Sequence, residues 1–538
     1  MSTGTAAPSR PGVRTGPGRE MAGPGSFAHV LRAEWTKFRT VRGWVIAVLV
    51  TIVAITAFVF VSTDVSSGCT AVHGASSAAA AVACPAQPTG PGGDPVQDVF
   101  YFAHQPVMGN GTITVQMTSL TGQTPVAPAG SEPDGGQAGP GLQPWSKAGI
   151  IIKENTSQGS AYAAMMVTGS NGVRMQWDYV NDTPGLAGRM SASRPRWLRL
   201  VRDGGTITGY DSADGTRWTL VGTVTLPGLT STVQAGLFAA GASDNSDLGT
   251  LATGVFRHIG LSWPATGWTG TSVGGAGPNS GVPAPGTLRR SAGSITVAGF
   301  GDIGPAAGNM YGGNGQSLQR VLAGTFFGLI PLIVVAAMFI TAEYRRGLIH
   351  VSLAAAPRRG RLLAAKAVTI GAVGFATGLV AATLALAVGT PLLLRAGPLQ
   401  WPVSLLTEAR MVVGTGVLLA VAAVLALAIG TIVRRSAPAV AIVIAVIIVP
   451  YLLSFGPLAG SQAQGSGPGG GGGWPLQITP AAALSVQQAV PQFHQLIAIY
   501  SLDNGYYPLA PWAGFAVLCA WTVAALALAA FLLHRRDA

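Results

Sequence analysis

Charge is scarce in this sequence: only 10% of its 538 residues are Asp, Glu, Lys or Arg. A soluble globular domain carries about a quarter, so an ordinary water-soluble protein is excluded. Cysteine is nearly absent, with three in all. That rules out a disulfide-dense scaffold and a Cys-based zinc module. The seven histidines stand singly, with no H-E-x-x-H and no His/Cys cluster, so no metal site is expected. No paired-carboxylate motif can be located either, and no catalytic residue is assigned. Lysine is rare. Lys37, Lys147, Lys153 and Lys366 are all there is, and none follows a glycine. A Walker A loop needs Gly-Lys-Ser/Thr to cradle phosphate. The chain is therefore not a standard P-loop ATPase and carries no cofactor of its own; any ATP is expected on a partner.

What is present is hydrophobic length. The mean hydropathy is +0.43. Uncharged apolar runs of about 20 residues cross a bilayer, and six qualify: 44–62, 321–341, 367–394, 411–433, 437–455 and 512–533. The first is too long for a cleavable signal peptide, and no A-x-A site follows it closely.

Orientation follows from the Lys/Arg bias. The segments before span one, between spans two and three, between four and five, and after six hold seventeen basic and four acidic residues, a net +13. The other side holds 15 basic and 16 acidic, a net −1. The overall +12 is thus a topology signal and asks for no nucleic-acid partner. Both termini are expected in the cytoplasm, with 63–320 outside. Twenty-eight arginines to four lysines, with abundant Ala, Gly and Pro, fit a GC-rich bacterial genome, hence a bacterial plasma membrane.

The long external segment opens with a tether, 63–94, and closes with a Gly/Ser/Pro-rich linker, 264–320. Between them, runs of five to eight residues alternate apolar and polar between turn signals. In Val173 to Tyr179, the residues Val173, Met175, Trp177 and Tyr179 fall on one face. Asn171-Gly172, Asp203-Gly204 and Asp214-Gly215 supply hairpin turns. About ten strands at this spacing predict a β-sandwich over 95–263. Its candidate ligand face comprises Lys153, Arg174, Gln176, Trp177 and Asp178. The competing reading of its tryptophans is plain core. Cys69 and Cys84 lie in the tether on the oxidising side, and a bridge closing their 16-residue loop contributes about 3 kcal/mol; the alternative is two free thiols. Cys519 falls inside span six.

On the cytoplasmic side, the first 25 residues form a tail. Residues 26–43 then read as an amphipathic helix lying in the headgroup layer. Glu34 falls within its apolar stripe, where a carboxylate is costly unless paired. The partner is either Lys37 at i+3 or a cytoplasmic arginine, Arg345 or Arg346. The segment 342–366 is short and basic. Leu348, Val351 and Ser352 recur on one helical face, rimmed by Arg345, Arg346, Arg358 and Arg359. The bland alternative is a solvated basic loop. The external loop 456–510 contains two short apolar stretches broken by Pro491, read as re-entrant helices.

Two resemblances accompany these readings. Lys147-Ala-Gly-Ile-Ile-Ile-Lys, Trp197-Leu-Arg-Leu-Val-Arg-Asp-Gly-Gly-Thr-Ile-Thr-Gly-Tyr and Ser212-Ala-Asp-Gly-Thr-Arg-Trp resemble laminin-G/concanavalin-A-like jelly rolls. That resemblance implies a carbohydrate-binding sheet. Leu31-Arg-Ala-Glu-Trp-Thr-Lys-Phe-Arg-Thr, Phe339-Ile-Thr-Ala-Glu-Tyr-Arg-Arg-Gly-Leu-Ile and Ala356-Pro-Arg-Arg-Gly-Arg-Leu-Leu-Ala-Ala-Lys resemble permease subunits of bacterial type-2 ABC exporters. This second resemblance implies a homodimer or heterodimer of permeases, a separate ABC-type ATPase subunit, and coupling through 342–366. The inserted sandwich departs from the commonest pattern of that family. A different class remains open, a multi-span surface binding or adhesion protein without transport. A glycosidase would need the acid/base pair that is missing.

Overall fold

The computed structural model describes residues 27–64, 88–123, 141–191, 193–242, 250–264, 266–274, 286–306, 317–345, 347, 359–395, 401–453, 475–491, 493, 495 and 507–536. Chain order is two helices, sixteen strands, then a helical bundle. The helices are α1 (Phe27–Thr40), α2 (Arg42–Asp64), α3 (Thr325–Arg345), α4 (Arg359–Arg395), α5 (Leu405–Val433), α6 (Ser436–Leu453) and α7 (Pro511–Arg536).

Apolar composition all round is what makes the bundle helices membrane elements, because no polar stripe is left for water. Among the described residues, five helical stretches are long and apolar enough to cross a bilayer: those of α2, α3 with the 3-10 turn before it, α4, α5 and α7. The expected span 437–455 corresponds to α6, a shorter apolar helix. The expected third span, 367–394, lies within α4, which begins at Arg359 and runs unbroken into it. Gly374 and Gly378 let α4 approach α5 closely, since a Cβ at either would lie 2.8–2.9 Å from α5 backbone.

Between α2 and α3 the chain forms two seven-stranded antiparallel sheets. One has β2 (Phe100–Met108), β11 (Thr232–Ala240) and β4 (Lys147–Lys153) at its centre, continuing through β5 (Tyr162–Thr168), β6 (Val173–Trp177) and β7 (Asn181–Pro184), with β13 (Thr269–Val273) at its other edge. The other runs β10 (Thr219–Thr225), β9 (Thr206–Ser212), β8 (Arg196–Asp203), β3 (Gly111–Gln123), β12 (Leu251–Leu261), β15 (Ser294–Gly299) and β14 (Gly286–Ser291). Ile150, Met165, Met175 and Leu237 of the first sheet share one core with Val115, Leu198, Phe256 and Val297 of the second. The alternation of apolar residues builds this core. A separate two-stranded ribbon, β1 (Val96–Asp98) with β16 (Ile303–Pro305), joins the start of the unit to its end.

Two expectations are corrected here. The segment 264–320, read as linker, supplies β13 to β16, and β15 pairs with β12 in the body of its sheet. Tyr179 does not share a face with Trp177: β6 ends at Trp177, and Asp178 and Tyr179 take φ of 46° and 69°. The left-handed turn swings Tyr179 to the other side of its sheet, into a second core with Phe100, Phe102 and Phe238.

Candidate functional site

The helices alternate between two ends. At one end, Trp401 donates from Nε1 to the Ala306 carbonyl at 3.0 Å, beside the β-unit. Gln495 donates to the carbonyls of Val180 at 3.0 Å and Tyr179 at 3.4 Å. Just inside that end, the buried Gln487 amide donates to Thr325 and Thr415 hydroxyls at 2.8 and 2.9 Å. The short 3-10 segment Pro480–Gln487 that holds it falls where the first of the two short apolar helices was expected.

At the opposite end, α1 folds onto the bundle through aromatic packing. The Phe38 ring lies 6.0 Å from Phe339 and 5.8 Å from Trp44. This docking carries Glu34 into a closed charge cluster. Lys366 Nζ, fully buried, sits 2.7 Å from Glu34 Oε2 and 2.7 Å from Glu343 Oε1. Lys37 Nζ lies 2.9 Å from Glu34 and 2.7 Å from Glu343. The Lys366 amine also rests 4.7 Å over the Phe339 ring. Two carboxylates and two ammonium groups cancel, which is the condition for burying them. Burial pulls the Lys37 amine down, but its hydrogen bonds to Glu343 and Glu34 outweigh this and hold it above its ordinary value. The cluster ties α1, the last turn of α3 and the first turns of α4 into one unit.

Glu34 therefore takes Lys37, one of the two alternatives read from the sequence, together with Lys366, which was not anticipated; Arg345 is not among its partners. Arg345 is exposed at the end of α3. It lines a cleft of about 730 Å³ with Thr341, Tyr344, Arg434, Arg435 and Pro438. Arg359 donates to the Leu533 carbonyl at 2.9 Å, capping the last turn of α7, where carbonyls lack helical partners. Arg346, Leu348, Val351, Ser352 and Arg358 lie outside the described residues, as do Cys69 and Cys84. Sequence reasoning missed Glu343 and Lys366 as partners. The available signal was a lone carboxylate and a lone amine at facing ends of apolar helices.

The expected ligand face of the β-unit is not assembled as one surface. Lys153 and Gln176 are buried. Lys153 binds Asp98 at 2.8 Å. Gln176 and Arg174 both donate to Asp182. Trp177 packs towards the inter-sheet core, opposite Arg174 and Gln176. The Asp178 carboxyl is raised by burial and accepts from the Tyr162 amide at 3.3 Å. An open aromatic face exists instead on the second sheet. There the Trp197 ring stacks on His258 at 5.5 Å, and the Arg199 guanidinium lies 3.8 Å over Trp218.

A bundle of helices apolar enough to cross a membrane, with an amphipathic helix before the first and a β-unit between the first two, defines the class: a multi-pass membrane protein. The family described as ABC-2 family transporter protein matches residues 28–538, and the chain belongs to that family. No curated protein matches it. Among solved structures, a functionally unknown protein from Saccharomyces cerevisiae is 14% identical, over 34% of this chain and 83% of its own, at a TM-score of 0.19. The GH43 protein of Bacillus licheniformis is 14% identical, over 24% of each chain, at 0.15. Scytalido-glutamic peptidase is 8% identical, over 37% of this chain and 98% of its own, at 0.23. Likenesses at these scores carry no argument about fold or activity.

Proposed function

We propose that this chain is the permease half of a bacterial exporter, powered by a separate ABC-type ATPase and working as a dimer of permeases. The α1 end faces the cytoplasm and the β-unit stands outside. In this reading α6 is the sixth crossing. Its 18 residues span about 27 Å at 1.5 Å each. Ser436 at its start lines the arginine cleft, and Tyr451 near its end lies 4.7 Å from Phe326 at the far end of α3.

The observation that carries the proposal is the charge cluster of Glu34, Lys37, Glu343 and Lys366. A mere anchor has no use for a neutralised ionic joint at the membrane boundary. A coupling device does, because the joint makes α1, α3 and α4 move together when the adjoining segment 346–358 is displaced. Leu348, Val351 and Ser352 then seat in the ATPase, while Arg345, Arg346 and Arg358 steer it; buried apolar anchors hold such complexes and rim charges tune their association. The β-unit is a jelly roll of the concanavalin-A-like kind that binds a glycan or similar ligand. We place that ligand on the Trp197, Trp218 and His258 face.

The test is co-purification of the ATPase encoded alongside this chain, with ATP turnover measured in membranes. Leu348→Asp should abolish association. Wild-type association and turnover in that variant would remove the segment from the mechanism. No ATPase bound to the unaltered chain under any condition would favour the adhesion reading.

A further inference from the structure

The β-unit holds two buried Lys–Asp pairs, both reaching from β4 to the β1/β16 ribbon. Lys147 Nζ lies 2.7 Å from Asp302 Oδ1 and donates to the Ile303 carbonyl at 2.8 Å. Asp302 is still 8% exposed. Lys153 and Asp98 are sealed completely, each 0% exposed. Their surroundings are aromatic: the Lys153 amine sits 5.4 Å over the Tyr179 ring and 5.8 Å over Tyr162.

The hydrogen bonds at Asp98 are lopsided. Its Oδ2 accepts from Lys153 Nζ at 2.8 Å, from the Tyr179 hydroxyl at 2.7 Å and from the Gly159 amide at 2.9 Å. Its Oδ1 is buried and has no partner among the described residues. An ionised carboxylate with one bare oxygen in an apolar pocket is costly.

We propose that Lys153 and Asp98 condense spontaneously into an intramolecular isopeptide bond. The Lys153 nitrogen attacks Asp98 Cγ, forming C–N. The Cγ–Oδ1 bond breaks, and Oδ1 departs as water with two protons from the ammonium group. Charge balances, because one cation and one anion become a neutral amide and water. No oxidant, metal or activated co-reactant is required. Gly159 N–H and Tyr179 O–H both point at Oδ2, where negative charge develops in the tetrahedral intermediate, and so act as an oxyanion hole. Tyr179 touches both reacting groups, since Lys153 Nζ also donates to its oxygen at 2.8 Å, and so holds the amine against the carboxyl. In the tetrahedral intermediate the two protons pass from the nitrogen to Oδ1 on the same carbon, which leaves as water. Burial lowers the Lys153 amine from its ordinary value, which favours the neutral nucleophile.

The product closes the accounts that the ion pair leaves open. Oδ2 becomes an amide oxygen with two donors. The remaining N–H keeps the Ser160 carbonyl, 3.0 Å from Nζ. The orphaned oxygen is gone. The bond staples β1, where the chain enters the β-unit, to β4 in the centre of its sheet. This inference is independent of the transport reading.

The test is mass spectrometry of the full chain purified in detergent. A digest should yield a joined peptide carrying Asp98 and Lys153, lighter by one water than its two parts. Lys153→Arg should restore the unlinked mass, and Tyr179→Phe should leave a measurable unlinked fraction. Separate, unmodified Asp98 and Lys153 peptides from the wild-type protein would overturn the proposal.

Discussion

At the scale of single residues, the cluster at the α1 end decides most. Lys366→Met removes the one fully buried cation that, among the described residues, faces Glu34 and Glu343, leaving two carboxylates to share the half-exposed Lys37. Breaking a buried pair from one side costs about 3–5 kcal/mol. The melting midpoint in detergent should fall accordingly, and adding Glu343→Gln should recover part of it. A variant that melts like the parent would show that the cluster contributes nothing. Glu34 was legible as an anomaly, because a carboxylate in an apolar stripe needs a partner. Of the two partners expected, Lys37 at i+3 is present at 2.9 Å, but the buried partner, Lys366, was not legible. Lys366 lies 332 positions away, and only the packing of α1 onto α4 brings the two together.

At the scale of elements, the apolar runs located the helices well, because a span must satisfy its backbone internally and its composition shows it. The strands of 286–306 were hidden for the opposite reason. They are short, they stand among Gly-, Ser- and Pro-rich chain, and only Ile295 and Val297 of β15 mark an inward face. Those two side chains nevertheless sit in the inter-sheet core. A fragment ending at Trp263 should therefore lack a cooperative melt, whereas one spanning 88–306 should show a sharp β-rich transition by circular dichroism. Equal cooperativity in both would make β14 and β15 dispensable. The same hidden geometry governed the β6 turn, since nothing in Asp178-Tyr179 announces two successive positive φ values.

At the scale of the molecule, basic residues gather at the end that holds α1, the last turn of α3 and the last turn of α7. This is the arrangement expected if that end faces the cytoplasm. An engineered thiol at Thr216, an exposed turn position of the β-unit, should react with a membrane-impermeant reagent on intact cells, and one at Ser352 should not; the reverse pattern would invert the proposed topology. The β-unit is seated on the bundle through Trp401 and Gln495, contacts between segments more than 90 residues apart in sequence that periodicity cannot reveal.

The β1/β16 ribbon has one more consequence. Val96 pairs with Pro305, so the chain leaves the β-unit beside the point where it enters. Beneath that seam the two flanking helices pack directly on each other: Phe58 of α2 lies 4.8 Å from Phe327 of α3, and a Cβ on Gly324 would lie 2.4 Å from the Ile55 carbonyl. Such an arrangement is a cassette. Evolution can swap, duplicate or discard it as one block without re-engineering the host, and the same seam offers a splice point for carrying a foreign domain to the surface of a cell.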